Sequence, residues 1–372
     1  MEYMEKIKIL LISDLHLGME KINSLISGEE RLGTLKRIIS LAHKHDILLI
    51  AGDLIHDESI ESRYFDILKD EFSSLMDAGK EIFYTPGPGE LLSNGKLNPA
   101  ISEISTTFTF SDDKNESMMK SSKGNIYIYG MQSNSLNHEW NITRNEQKGF
   151  HVGLFNADFN PQISGSHDTG CIKKDDIKKL NLDFYALGKN HTFKMFRFAN
   201  KILGAYPGSP ESCSIDETGD RFAVSMEIAD NTLHSIKRIA VNTIKILSDE
   251  IDCGTIINQN TLLEKIKSTY PDKSIVNITL TGERDFQIEN NFKTELSEYF
   301  RRLKIMDFSL PSLKVLIEEN MNYDSLKSIF FQSLSERIND ITDNRIKIEV
   351  LAEILSQKNT GGKSEGVILC DF

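Results

Sequence analysis

At 372 residues the chain is too long for one compact core and implies two or three domains. Hydrophobic residues make up 39% and charged residues 26%, the balance of an ordinary globular protein, which excludes fibrous and low-complexity classes. Lys and Arg number 43 against 55 Asp and Glu, a formal charge of −12 with no general attraction for a polyanion, so nucleic-acid binding would need a local basic patch.

The first half alternates strand and helix. Ile7–Ile12 is an apolar run fit for one buried strand, and it ends in Asp14-Leu15-His16. Leu32, Leu35, Ile38, Ile39 and Ala42 then recur at helical spacing. Asp46–Ile50 predicts a second strand running into Ala51-Gly52-Asp53. Phe65, Leu68, Phe72, Leu75 and Met76 mark a second amphipathic helix, and Lys80–Tyr84 a third strand stopped by Pro86-Gly87-Pro88-Gly89. Such alternation predicts βαβ units and a partly parallel sheet. Asp14 and His16 leaving one strand end and Asp53 leaving its neighbour occupy the edge where open α/β sheets bind ligands, half of a metal site.

From Thr107 the pattern shifts to short strands, at Thr107–Phe110, Ile126–Tyr129 and His151–Phe155, with Asp112–Lys123 read as a surface loop. A helix at Asp175–Leu180 and a strand at Phe184–Leu187 follow. Phe193–Phe198, Lys201–Ala205, Phe222–Ile228 and Thr232–Ile239 read as antiparallel strands closing a second sheet. A boundary near Leu247–Gly254 opens a smaller α+β module, with helices at Leu262–Lys267 and Phe292–Arg302 and strands at Ile275–Thr281 and Lys304–Phe308. Beyond Pro311, Leu313–Ile317, Leu326–Ile338 and Ile346–Leu355 carry helical periodicity, and from Asn359 the chain reads as a tail. No internal repeat is present.

Four scattered cysteines without a C-x-x-C (Cys171, Cys213, Cys253, Cys370) argue against a zinc ribbon or disulfide framework and fit a reducing cytosol. Glu2 and Glu5 do not suit a signal peptide, and no apolar run approaches the ~20 residues of a membrane span. The expectation is a soluble cytoplasmic protein. Lys173-Lys174, Lys178-Lys179 and Arg301-Arg302-Lys304 could supply a basic patch, although such clusters are more often solvated helix faces.

Singly, an Asp after a strand is more often a turn or cap residue than a ligand. Together, D-L-H-L-G after strand one, G-D-L-I-H-D after strand two, Y-A-L-G-K-N-H after a later strand and Tyr206-Pro207-Gly208-Ser209-Pro210-Glu211 are far more specific. The chain resembles the calcineurin-like metallophosphoesterase superfamily and, within it, the SbcD-like DNA repair exonucleases. The resemblance implies a four-layer α/β/β/α sandwich over residues 1–247. It also implies a small α+β capping domain over 248–310, C-terminal helices over 311–358 that dock a SbcC-like coiled-coil ATPase, and a tail over 359–372.

That family holds two divalent cations, usually manganese, which clamp a phosphodiester. The first metal's ligands map onto Asp14, His16, Asp53 and His191, and all four are present. A set of carboxylates and imidazoles suits manganese, iron or zinc alike. The second metal's pattern is degenerate. Pro88 stands for the Asn ligand, Gly89 for the phosphate-contacting His, and Asn156 and Lys189 for two further His. The resemblance therefore implies one divalent ion or none, and hydrolysis that is weak or absent. Glu90 and Asn156 are the oxygen donors left on that side. His56 matches a histidine near the family's active-site mouth and is a candidate phosphate contact. Lys189 is a candidate to place its ammonium where the second cation would sit, beside Asp53. Its bland alternative is an exposed lysine. His138, His151 and His167 read as surface or strand-edge histidines.

Three functions compete: a weak or inactive nuclease-family subunit binding DNA ends or the ATPase, an active phosphodiesterase using one metal plus Lys189, and a module sensing a phosphorylated ligand. Family members usually dimerise through catalytic-domain helices, which makes the Ser59–Ala78 helix the candidate homodimer surface.

Overall fold

Which face each strand residue takes follows from strict alternation along the chain. The computed structural model describes residues 6–57, 61–110, 117–131, 142–162, 171–198, 201–289, 291–312, 314–316 and 368–369. Two compact units divide the chain, Met1–Lys245 and Ile246–Phe372.

The first unit begins with β1 (Ile7–Ile12), α1 (Gly28–Ala42), β2 (Ile47–Ile50), α2 (Ser62–Asp77), β3 (Glu81–Tyr84), α3 (Pro99–Ser102) and β4 (Phe108–Thr109). It continues with β5 (Met118–Lys120), β6 (Ile126–Gly130), β7 (Phe150–Asn156), β8 (Asp158–Asn160), β9 (Cys171–Lys173) and α4 (Lys174–Leu180). The last strands are β10 (Phe184–Gly188), β11 (Lys194–Phe198), β12 (Lys201–Tyr206), β13 (Phe222–Ala229) and β14 (Thr232–Ala240). One six-stranded sheet has the order β14-β13-β1-β2-β3-β4, the other β11-β12-β10-β7-β6-β5. Strands β1 to β4 are parallel, as are β6, β7, β10 and β12.

Two sequence expectations change here. Strands β13 and β14 do not close the second sheet. They return to the first, where β13 lies antiparallel to β1 with Ile9 opposite Met226. Alternation on β13 marks two buried faces but cannot name the partner, and β1 offered an open edge. Within the expected loop at Asp112–Lys123, Met118–Lys120 is an edge strand antiparallel to β6.

Leu10 and Ile12 pack with Leu35 and Ile38 of α1 and with Leu68 and Phe72 of α2. Ile9 and Leu11 face the opposite way, into a core shared with Val152, Leu154, Phe184 and Ala186 of the second sheet. On the far side of that sheet, Phe155, Tyr185 and Leu187 pack with Leu180 of α4 and with Phe159. Helices, sheet, sheet and helix make a four-layer α/β/β/α sandwich. Burial on both faces explains why β1 from Ile9 onward and β2 read as unbroken apolar runs. Helix α1 starts at a capping box, with Ser27 Oγ accepting from Glu30 N–H at 3.3 Å and Glu30 accepting from Ser27 N–H at 2.8 Å.

The second unit contains β15 (Leu247–Asp252), α5 (Gln259–Thr269), β16 (Ile275–Thr281), β17 (Glu283–Arg284), α6 (Asn291–Tyr299), β18 (Arg302–Asp307), β19 (Leu310–Pro311) and β20 (Ile368–Leu369). Its main sheet has the order β15-β16-β18-β20, with the first three strands parallel. The stretch read as a boundary is thus itself a strand. Leu262, Ile266, Ile278, Leu280, Phe292, Leu296 and Ile305 form this unit's core. Of the segments expected beyond Pro311, residues 314–316 are helical. Leu326–Ile338 and Ile346–Leu355 lie outside the described residues. Inside the expected tail, β20 pairs with β18. Among the described residues, no helix is long and apolar enough to cross a membrane.

Candidate metal centre

The site forms where β1 and β2 of one sheet meet β7 and β10 of the other. Asp14, His16 and Asp53 all hold left-handed backbone, with φ of 54°, 50° and 52°, and Lys189 follows at 91°. Asp and His tolerate this region better than most residues, yet each position is strained and persists only where neighbours enforce it. Here the two loops after β1 and β2 keep pairing beyond the strand ends. Asp14 N–H donates to Gly52 O, His16 N–H to Asp53 O and Leu17 N–H to Leu54 O, each at 3.0 Å. The ends of the two sheets also approach closely: a Cβ on Gly188 would lie 1.7 Å from the Ala51 carbonyl oxygen, so glycine is required there. Arg31 of α1, 1% exposed, donates to the Leu15 carbonyl at 3.0 Å and to the Ser212 carbonyl at 2.9 Å. One buried guanidinium therefore ties the Asp14–His16 turn to the loop after β12.

Asp14 is fully buried, and its carboxylate accepts from Ser13 Oγ at 2.5 Å and from Lys189 N–H at 3.0 Å. Burial, with the charge of Asp53 second, pushes its pKa up to about 7. His16 and His191 turn their Nε2 atoms toward each other at 3.1 Å. The Nδ1 of His191 lies 2.9 Å from Glu217 Oε1, and Glu217 Oε2 also accepts from Ser209 Oγ at 2.8 Å and Cys213 N–H at 3.0 Å. Burial first and the neighbouring His191 second push His16 down to about 3, so it stays neutral. Hydrogen bonds to the Cys213 thiol and to Glu217 push His191 up to about 10.

The other flank of Asp53 is built differently. Its Oδ1 accepts from Gly89 N–H at 3.1 Å and its Oδ2 from Asn156 Nδ2 at 2.9 Å. Glu90, fully buried, accepts from the backbone N–H groups of Asp53 at 3.0 Å, Ile55 at 2.9 Å and Gly87 at 2.7 Å. Burial first and Asp53 second raise its pKa. Asn156 Oδ1 is buried without a hydrogen-bond partner. A Cβ on Gly89 would sit 2.3 Å from the Ile55 carbonyl oxygen, so a histidine cannot simply be written back there.

The structure thus gathers Asp14, His16, Asp53 and His191, with Asp14, His16 and Asp53 ligand atoms all within 4.8 Å of one another. His56 comes along, its Nδ1 3.5 Å from His16 Nδ1. Lys189 contributes its backbone N–H, but its ammonium does not reach Asp53. It pairs with Asp158 at 2.6 Å on the surface. His151 is not a surface residue. It is fully buried, and Tyr129 Oη at 2.8 Å and Gln147 O at 3.0 Å satisfy both ring nitrogens. His138 and His167 lie outside the described residues. Sequence reasoning missed Glu217, Arg31 and Cys213, whose spacing from the motifs carries no signal.

The family model for calcineurin-like phosphoesterases matches residues 7–208, more than half of the chain, and the chain belongs to that family. No curated protein matches it. Among solved structures it is similar to Vacuolar Protein Sorting 29 from Cryptosporidium parvum, at 14% identity and a TM-score of 0.33, covering 63% of this chain and 98% of that one. It is also similar to a conserved protein of Streptococcus pneumoniae TIGR4 described as a predicted phosphoesterase. That match has 12% identity and a TM-score of 0.30, covering 64% of this chain and 99% of the other.

Members of this family typically bind divalent metals, and the donor set at His16 fits one ion. Two imidazole nitrogens on one ion at ~2.1 Å and near a right angle stand about 3 Å apart, which matches the 3.1 Å between the two Nε2 atoms. The bond from His191 Nδ1 to Glu217 reserves Nε2 for the ion, the usual support of a ligating histidine. Two buried carboxylates whose pKa values are raised would be relieved by a cation between them. A divalent ion there would acidify bound water and polarise a phosphoryl oxygen.

Proposed function

We propose that this chain is an SbcD-like member of the family that holds one divalent ion and hydrolyses phosphodiesters weakly or not at all. It serves as a subunit that binds DNA ends or docks a SbcC-like ATPase. The observation that carries this reading is the flank of Asp53 away from His16. Gly89 N–H and the Asn156 amide occupy both carboxylate oxygens there, and Glu90 is spent on three backbone N–H groups. A second ion would meet hydrogen-bond donors instead of imidazoles. Losing one preorganised electrostatic contributor costs ~10²–10³ in rate, and here a cation and a histidine are both missing. The Tyr206–Glu211 motif and the segments beyond Pro311 support the nuclease-branch and ATPase-docking parts of the proposal. The one-metal-plus-Lys189 mechanism is disfavoured, since the Lys189 ammonium lies at the surface beside Asp158 and not beside Asp53.

The test is a manganese- and magnesium-supplemented nuclease assay on linear DNA, run beside elemental analysis and capture of a co-expressed SbcC-like ATPase. About one ion per chain, little hydrolysis and retained ATPase or DNA-end binding are expected. Two equally occupied ions, or robust hydrolysis abolished by Asp53→Ala, would overturn the weak-hydrolysis reading. Failure to bind either partner would overturn the subunit role.

A further inference from the structure

Cys213 stands among imidazoles, not hydrocarbons. It is 4% exposed, and its sulfur together with the ring nitrogens of His16 and His191 forms a group whose members all lie within 4.8 Å of one another. Tetrahedral ligands of one zinc ion at 2.0–2.3 Å stand about 3.3–3.8 Å apart, within the reach of these three atoms. The contrast within the chain is Cys253, also buried, which belongs to the core of Leu262, Ile278 and Leu280 and whose thiol pKa burial pushes up.

The loop holds Cys213 from both backbone sides. Its N–H donates to Glu217 at 3.0 Å, its carbonyl accepts from Asn23 Nδ2 at 3.0 Å, and Arg31 fixes the preceding Ser212 carbonyl. The sulfur itself makes a long contact with the Glu211 carbonyl, at 3.7 Å. Glu217 thus orients His191 and anchors Cys213 with the same carboxylate, an arrangement that presents a nitrogen and a sulfur to one point.

Two donor triads therefore share His16: Asp14, His16 and Asp53 offer hard oxygens and a nitrogen, while His16, His191 and Cys213 offer two nitrogens and a sulfur. We propose that Cys213 is a direct ligand of the ion held at His16 and His191, and that it makes the site select a thiophilic ion, zinc or ferrous iron, over manganese. Thiolates favour such ions, and manganese prefers carboxylate and water oxygens. On binding, the thiol gives its proton to solvent and the sulfur lone pair forms the bond to the ion. This inference rests on the one-ion reading and adds the identity of the ion.

The experiment uses the full chain, stripped by chelation under reducing conditions and reloaded with cobalt(II). The wild type should show a near-ultraviolet thiolate-to-cobalt charge-transfer band at about one bound cobalt per chain, absent from both Cys213→Ser and Cys213→Ala. In competition dialysis, Cys213→Ser should lose at least ~10-fold of the zinc preference over manganese. Bound cobalt without that band, or a band that survives in both variants, overturns the Cys213 assignment and leaves the one-ion reading standing. Two cobalt ions per chain overturn the one-ion reading alone, and no bound cobalt overturns both.

Discussion

Asp53 has two flanks built from the same kind of strand end, yet they face different chemistry. Toward His16, the neighbours are a buried carboxylate, the neutral His16 ring, the His191 ring held protonated by Cys213 and Glu217, and a thiol. Toward Gly89, the neighbours are a backbone N–H and an amide NH₂, both hydrogen-bond donors. On the first flank the charge is balanced by exchangeable protons, on His191 above all, whose place a divalent cation can take, whereas on the second fixed donors satisfy the carboxylate. A single carboxylate is thus fit for metal on one side and sealed by the protein on the other.

The comparison breaks first at His16, which both donor triads share. His16→Ala should lower affinity for zinc or cobalt more than ~100-fold, read by equilibrium dialysis, because a shared ligand outweighs a supporting residue. Unchanged metal content would place the ion elsewhere.

The sealed flank is probed by Glu90→Gln. One amide oxygen cannot accept the three N–H groups that the carboxylate holds, and the amide NH₂ would face a backbone donor. The expected loss is ~1–3 kcal/mol in urea unfolding of the chelated protein. Because the folded pKa of Glu90 is raised, its protonated form contributes stability fully below the ordinary carboxylate pKa, and that contribution fades as pH rises through the raised value. The gap between wild type and variant should therefore narrow from mildly acidic to mildly alkaline pH. A gap that widens with pH would show that Glu90 ionises easily in the fold.

The smallest effect belongs to Lys189→Ala. Its pair with Asp158 is exposed on both partners and is worth ~0–1 kcal/mol. Metal content and residual hydrolysis should not change, since the backbone N–H that reaches Asp14 is kept. A loss of metal or activity would restore the lysine to the site and undo the contrast between the flanks.

The parallel half of the first sheet and the convergence of the candidate ligands Asp14, His16, Asp53 and His191 were legible in the sequence. Apolar runs buried on both faces, each ending in a polar motif, announce a strand and what it delivers. Strands β13 and β14 were legible as strands but not as members of the first sheet, because alternation marks faces and carries no record of which edge is open. His151 was misread because a polar side chain signals exposure unless its partners are known, and Tyr129 and Gln147 supply them.

The sequence by itself determined the class of the protein and the flank that carries the candidate metal ligands, since both rest on residue type at short, regular spacing along single strands. Tertiary structure alone decided what seals the other flank. The absence of histidine at Gly89 and Asn156 was visible in the chain. Their N–H groups closing on Asp53, Glu90 gathering backbone donors, Lys189 turning outward to Asp158, and Glu217 and Cys213 arriving beside His191 were not. Each depends on segments distant in sequence meeting at one point. The left-handed turns that aim these groups are set by the packing of two sheets, which no local pattern encodes.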